Sequence, residues 1–210
     1  MKELLRLMGR DALILLGFAL VGTAIVAITF SATEPVIAEN QRQAVLANLN
    51  ALIPHDQYDN ALTEDVVQIV DRQWLGTDQP VTIYRAFKNG NPVALVADPV
   101  APDGYGGPIR LLVGVWADGT VAGVRVLAHQ ETPGLGDKIE LSRSDWILTF
   151  DDRSLGDPPP DDWAVKKDGG YFDQFTGATI TPRAVVGTVY RFLRYFDTHR
   201  DQLFATGSDS

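Results

Sequence analysis

The chain contains 210 residues, of which 45% are hydrophobic and 21% are charged, and its formal net charge is -9. This length suits one domain of ordinary size plus an appendage, and the negative charge argues against nucleic acid as a partner. The absence of cysteine excludes disulfides, thiolate-ligated iron–sulfur clusters and cysteine-attached haem. His55, His129 and His199 are scattered without the spacing of a zinc site, so we predict no metal ligands.

The first apolar segment predicts a membrane anchor. Residues 12–30 contain no charged side chain, and Lys2, Arg6 and Arg10 precede them. A helix of this length extends about 28 Å, which is close to the hydrocarbon thickness of a bilayer. A signal peptide is the competing interpretation, but its apolar core is normally shorter, about 7–15 residues. We therefore predict an uncleaved transmembrane helix in contact with membrane lipid.

The basic flank of this segment predicts the topology. Positive charges favour the cytoplasmic side, so residues 1–11 are expected in the cytoplasm. The rest of the chain is then expected on the periplasmic side of a bacterial inner membrane, as a single-pass protein.

Two hairpins are predicted between residues 81 and 127. The first turns at residues 89–92, which read NGNP, and the second turns at Asp118-Gly119. The four predicted strands cover residues 81–88, 92–97, 109–116 and 121–127. No alternation of strand and helix is visible, which argues against a doubly wound nucleotide fold.

The C-terminal part predicts a helix on this sheet. Apolar residues recur at near-helical spacing over residues 183–204. We therefore predict an α+β fold: a transmembrane helix, then one extracytoplasmic domain at 34–204 with a largely antiparallel sheet and flanking helices, and a tail at 205–210. The glycine-rich segment 103–108 lacks a phosphate-binding glycine pattern and is predicted to be a flexible loop.

The residues before the last helix read DQFTGATIT, from Asp173 to Thr181. Gly177 permits a left-handed turn, Thr181 is predicted to cap the helix, and Pro182 suits its first position. A helix start presents free N–H groups and a partial positive charge, which favour a phosphate. These features also fit an ordinary capped helix after a threonine-rich turn.

A second turn-rich segment, residues 131–136, reads ETPGLG, and by itself it fits a connector between a strand and a helix. Together the two segments resemble the FMN-binding domain family, whose flavinylation motif is Asp-x-x-(Ser/Thr)-Gly-Ala-Thr. In that family the last threonine of the motif carries FMN through a phosphoester bond. The fixed positions of the motif fall on Asp173, Thr176, Gly177, Ala178 and Thr179.

The resemblance implies that Thr179 carries covalent FMN. It also implies that Asp173 orients the motif or assists the transferase. The phosphate turn would be shaped by Thr176, Gly177, Ala178 and Thr181. The flavin would be lined by Glu131, Thr132, Gly134, Leu135 and Gly136. Lys166, beside Lys167, is either one of a solvated pair or a cation near the phosphate or the flavin.

An anchor followed by an FMN domain resembles the G-subunit family of Rnf ion-translocating oxidoreductases. The C-subunit family of sodium-translocating NADH:quinone reductases is a relative with the same plan, and it usually has serine where Thr176 stands. The resemblance implies an electron carrier without substrate turnover or catalytic residues of its own, in a complex that couples NADH–ferredoxin electron transfer to ion movement. Its partners would be the other subunits and a flavin transferase.

Two other classes of protein remain open from the sequence. One is a membrane-anchored periplasmic interaction module without a cofactor, in which the threonine-rich turn only begins a helix. The other is a hydrolase with a threonine or serine nucleophile. The dispersed histidines offer no base with an orienting partner for such an enzyme.

Overall fold

The computed structural model describes the backbone of residues 2–205, and side chains from residue 15 onward except at 31–32, 35–38 and 41. The chain divides into two compact units, Met1–Val45 and Leu46–Ser210. The predicted cytoplasmic segment 1–11 and all but the first residue of the predicted tail 205–210 therefore lie outside the residues whose side chains are described.

The N-terminal unit is helical. Helix α1 runs over Lys2–Asn50, and every side chain from residue 15 to 30 is exposed. The first residues of the predicted span at 12–30 lie outside the described side chains. A search of the described residues finds no helix with enough length and apolar character to cross a membrane.

The second unit is built on an antiparallel sheet. Over the described range its strands follow the order β1-β2-β3-β5-β4, and β6 pairs with β5. The strands are β1 Val66–Ile69, β2 Val81–Lys88, β3 Asn91–Ala97, β4 Val100–Ala101, β5 Ile109–Trp116 and β6 Val121–Ala128. The two predicted hairpins, β2–β3 and β5–β6, are confirmed, as is the antiparallel α+β class.

The hairpin turns explain why these strands are recognisable in the sequence. Asn89 and Gly90 have φ values of 51° and 74°, as a two-residue hairpin turn requires. At the second turn Gly119 has a φ of 93°, and the Trp116 N–H donates to Thr120 O at 2.8 Å. Local turn chemistry and runs of apolar and β-branched residues therefore specify this part of the sheet.

Helix α3, Ile180–Phe204, packs against the sheet. Its buried side chains recur at helical spacing and include Val185, Val189, Phe192, Leu193 and Phe196. Between β6 and α3 the chain forms short 3-10 turns at Gly136–Ile139, Asp145–Phe150, Pro160–Asp162 and Lys166–Asp168. A further such turn, His55–Gln57, and helix α2, Arg72–Leu75, precede β2.

The predicted start of the last helix is wrong. Helix α3 begins at Ile180, and Thr179 occupies the cap position with helical φ and ψ of -79° and -28°. Thr181 does not cap the helix, because its side chain is fully buried and its hydroxyl donates to the Glu131 carboxylate. The Thr181 hydroxyl therefore bonds to Glu131, which is distant in sequence, and not to the backbone at the helix start.

Candidate functional site: a cavity at the start of helix α3

A cavity of about 310 Å³ lies where the segment 131–136 meets the start of α3. We call it the first cavity. Its lining residues are Tyr105, Glu131, Thr132, Leu135, Gly136, Gly177, Ala178, Thr179, Ile180 and Thr181. The two segments singled out in the sequence, 131–136 and 173–181, are separated by 36 residues and thus contribute to one wall.

Glu131 connects three parts of this wall. Its side chain is buried, with 5% of the residue exposed. Oε1 accepts a hydrogen bond from the Gly106 N–H at 3.0 Å, and Oε2 accepts one from the Thr181 hydroxyl. Because a buried carboxylate is costly without partners, these contacts fix the glycine-rich loop, the segment 131–136 and the helix start against each other.

Glycines permit this close approach. A Cβ added at Gly136 would lie 2.8 Å from Glu131 Oε2 and 2.9 Å from Thr181 Oγ1. A Cβ at Gly106 would lie 1.9 Å from the Gln130 carbonyl oxygen. The glycine-rich segment 103–108, predicted as a flexible loop, is therefore held against the residues that enter the first cavity.

The start of α3 presents hydrogen-bond donors to the first cavity. In the described part of the chain, the N–H groups of Thr179, Ile180 and Thr181 form no backbone hydrogen bond. Thr179 makes no side-chain capping bond, and the Arg183 N–H donates to Thr179 O at 3.3 Å. Free N–H groups and the positive end of a long helix dipole favour an anion here.

A second cavity, of about 390 Å³, is lined by residues that do not line the first. Asp173 and Lys166 line it, and Lys166 Nζ lies 2.7 Å from Asp173 Oδ1. Its other lining residues are Thr149, Asp162, Gly169, Gly170, Tyr171 and Phe172. The sequence-predicted pair Asp173 and Lys166 is therefore brought together, but not among the residues that line the first cavity.

An ion pair joins this region to the start of α3. Arg183 donates from Nε and Nη2 to the two carboxylate oxygens of Asp168, at 2.7 and 2.9 Å. These hydrogen bonds lower the pKa of Asp168 below its usual value. The turn Lys166–Asp168 is thereby tied to the helix whose first turn lines the first cavity.

Of the twelve predicted cofactor-binding residues, eight line the first cavity and four do not. Thr176 and Gly134 are exposed outside the lining, and Asp173 and Lys166 line the second cavity. Sequence reasoning missed Tyr105 and Ile180, which are 69% and 43% exposed. A lone tyrosine among the glycines of segment 103–108 was the available signal for Tyr105.

Tyr105, Ile180 and Leu135 give the first cavity large apolar surfaces. Leu135 is 43% exposed, so none of the three is fully buried in the core. Apolar walls with a few convergent polar groups are typical of a site for an organic cofactor. Here the polar groups are the free N–H groups of α3 and the Thr179 hydroxyl.

Comparison with known proteins agrees with this architecture. Residues 104–194 match the FMN-binding domain family, a range that covers both segments of the first cavity. The fold and the cavity thus define an FMN-binding domain. Residues 1–52 match the RnfG N-terminal region.

Relatives extend the match to nearly the whole chain. The G subunit of the ion-translocating oxidoreductase complex from Pseudomonas aeruginosa is 52% identical over 200 residues, which cover 95% of this chain and 94% of the relative. The proteins of the same description from Pseudoalteromonas atlantica and Vibrio cholerae are 45% identical over 204 residues and 48% identical over 194 residues. These cover 97% and 92% of this chain, and 95% and 92% of the respective relatives. The chain belongs to the G-subunit family of ion-translocating oxidoreductase complexes.

Proposed function

We propose that this chain carries electrons within an ion-translocating oxidoreductase complex, with FMN held in the first cavity and joined to Thr179 by a phosphoester. The observation that carries the proposal is the convergence of the segment 131–136 and the turn 177–181 on one cavity, at the start of a long helix. The FMN-binding domain match covers the same residues. The family also implies other subunits of the complex as partners.

The three threonines of the motif differ in a way that supports Thr179 as the attachment residue. Thr179 is half-buried, lines the first cavity, and its hydroxyl makes no hydrogen bond within the described chain. The Thr181 hydroxyl is fully buried and bonded to Glu131. Thr176 is exposed and does not line the cavity. Thr179 alone of the three combines access, position and an uncommitted hydroxyl.

The residues of the first cavity suit FMN. The free N–H groups of α3 would hold the phosphate beside Thr179, and Tyr105, Leu135 and Ile180 would contact apolar parts of the flavin. A cavity of about 310 Å³ is at the small end for organic ligands, so part of the cofactor would remain open to partner subunits. The flavin supplies the electron transfer, and the protein supplies position and electrostatics.

Attachment requires a separate flavin transferase in this proposal. The Thr179 oxygen forms the new phosphoester while the pyrophosphate bond of FAD breaks, AMP leaves, and the hydroxyl proton passes to a base of the transferase. Asp173 and Lys166 line the second cavity, which shares no lining residue with the first. We propose that Asp173 presents the motif to the transferase and that Lys166 holds its carboxylate.

We also propose that residues 12–30 anchor the chain in the inner membrane, with the N-terminus cytoplasmic and the FMN domain periplasmic. Exposed apolar side chains along α1, such as Phe18 at 75%, support the anchor. The basic residues before the apolar segment, Lys2, Arg6 and Arg10, support the orientation. Because the chain has no cysteine, single-cysteine variants test it. Asp161→Cys should react with an impermeant maleimide in spheroplasts, and Lys2→Cys only after lysis. The reverse pattern would overturn the topology.

Intact mass tests the attachment. Protein made in its own host should carry the added mass of one phosphoester-linked FMN, and peptide mapping should assign that mass to Thr179. Flavin fluorescence should persist after denaturing electrophoresis. A native preparation with only unmodified peptides would instead favour the cofactor-free interaction module.

A further inference from the structure

A histidine that does not line the first cavity contacts both ends of the segment that follows strand β6. His129 follows strand β6, Val121–Ala128, and its side chain is 10% exposed. The Glu131 N–H donates to His129 Nδ1 at 3.0 Å. His129 Nε2 lies 2.6 Å from Glu140 Oε1, and Glu140 directly follows the turn Gly136–Ile139. The imidazole therefore contacts the first residue of the loop and the residue after its last turn.

One neutral tautomer satisfies both contacts. Because Nδ1 accepts from a backbone N–H, it carries no proton, and Nε2 must then carry the ring proton and donate it to Glu140. The second oxygen of Glu140 accepts from the Ser142 hydroxyl at 3.0 Å. These two hydrogen bonds, from His129 first and Ser142 second, lower the pKa of Glu140, which is consistent with a carboxylate acceptor.

The hydrogen bond between Glu131 N–H and His129 affects the first cavity because of where the Glu131 side chain lies. Its carboxylate fits between backbone segments with little space, since a Cβ at either Gly104 or Gly136 would lie 2.8 Å from one of its oxygens. A shift of the Glu131 backbone would disturb the bonds to Gly106 and Thr181 together. A residue that fixes the Glu131 backbone therefore also fixes the glycine-rich loop and the helix start.

We propose that His129 is a positioning residue that holds the loop 131–139 closed through Glu131 N–H and Glu140, and so preorganises the FMN cavity. The inference rests on the proposed function, because it concerns the loop that would contact FMN. His129 is not among the residues that line the first cavity, and it acts through Glu131.

Hydrogen exchange on protein without flavin tests the closure directly. In His129→Ala and Glu140→Ala, amides of residues 131–136 should exchange about two- to tenfold faster than in the unaltered protein, as expected for one lost hydrogen bond. Peptides from strand β5, Ile109–Trp116, should not change. His55→Ala is the matched control, since His55 is exposed and remote in sequence from this loop.

Conservative replacement separates positioning from general stability. Glu140→Gln keeps an acceptor oxygen for Nε2–H, so its exchange should match the unaltered protein. After flavin transfer, the visible circular dichroism of bound FMN should change in His129→Ala and Glu140→Ala but not in Glu140→Gln.

Three results would overturn the inference: unchanged exchange in Glu140→Ala, equal effects of Glu140→Gln and Glu140→Ala, or unchanged dichroism in both alanine variants. If His129→Ala does not fold, the two Glu140 variants still decide the matter. The two proposals can fail separately. If the unaltered protein never acquires flavin but the variants show the expected differences in exchange, the proposed cofactor is refuted and the closure by His129 stands.

Discussion

The two ends of the motif 173–181 are held in different ways. At its C-terminal end, Thr181 is fully buried and bonded to Glu131, and the neighbouring residues line the first cavity. At its N-terminal end, Asp173 has a side chain that is 64% exposed and pairs with Lys166 beside the second cavity. One continuous motif therefore has a buried C-terminal half and an N-terminal half with an exposed, ion-paired carboxylate, which we call the open half.

Because of this difference, the fixed positions at the two ends of the motif need not contact the same ligand or protein partner. Buried polar contacts set the shape of a cavity, because an unpaired buried group is costly. An exposed ion pair contributes little to stability and is free to exchange partners. Substitutions at the two ends should therefore affect different measurements.

Thr179→Ala should have the largest effect on function. It removes the oxygen that would join FMN, so covalent flavin should be lost completely, while the free energy of unfolding changes by only about 0.5 kcal/mol. Denaturing-gel fluorescence, intact mass and urea unfolding measure these quantities. Thr198→Ala, at an exposed position of α3 outside the motif, is the control and should retain flavin. Retention in Thr179→Ala with loss in Thr176→Ala would move the attachment site.

Gly136→Ala should have the largest effect on stability. Its new Cβ would lie 2.8 Å from Glu131 Oε2 and 2.9 Å from Thr181 Oγ1, which are both fixed by their mutual hydrogen bond. We expect a loss of about 2–3 kcal/mol in urea unfolding, toward the upper end of the roughly 1–3 kcal/mol typical of overpacking, and less flavin loading. Gly156→Ala, where no atom lies within 4 Å of a new Cβ, should be neutral. Equal stability of the two variants would contradict the tight junction at Gly136.

Thr181→Val should have a smaller effect. The substitution preserves the shape of the side chain but leaves Glu131 Oε2 without its hydroxyl donor, at a cost of about 1–2 kcal/mol. Thr198→Val, which removes an exposed hydroxyl from the same helix, should cost less in the same unfolding measurement. Covalent flavin should persist at Thr179. If Thr181→Val loses flavin at unchanged stability, the Thr181 hydroxyl takes part in flavin attachment and does not merely support Glu131.

The sheet could be predicted from the sequence because its signals are local. Runs of apolar and β-branched residues define β2 and β5, and residues that tolerate positive φ, such as Gly90 and Gly119, mark the turns. The short strand β1 lacks such a pattern, so the sequence does not predict it.

The construction of the first cavity could not be predicted, because its contacts are distant in sequence. Glu131 and Thr181 are 50 residues apart, and Glu131 and Gly106 are 25 apart. The resemblance to the FMN-binding domain family identified the segments, but not the carboxylate that joins them. The wrong cap assignment for Thr181 and the missed Tyr105 have this same cause.

Lys166→Gln should have the smallest effect on stability and should test the open half of the motif. The Lys166 and Asp173 side chains are 55% and 64% exposed, so losing their ion pair should cost less than about 0.5 kcal/mol. If this pair presents Asp173 to the transferase, the initial rate of flavin transfer should nevertheless fall. The fall should be smaller at high salt, because exposed charges are screened.

Lys167→Gln is the matched control for this prediction. It removes the same charge one residue away, from an exposed side chain that forms no ion pair in the described chain. An initial-rate assay with purified transferase and FAD, followed by fluorescence of the denatured product, compares the two variants. Equal slowing would indicate a general effect of charge, and an unchanged rate in Lys166→Gln would show that the exposed end of the motif does not need the ion pair. Slower transfer in Lys166→Gln alone, at equal stability, would establish that the two halves of the motif act at different stages.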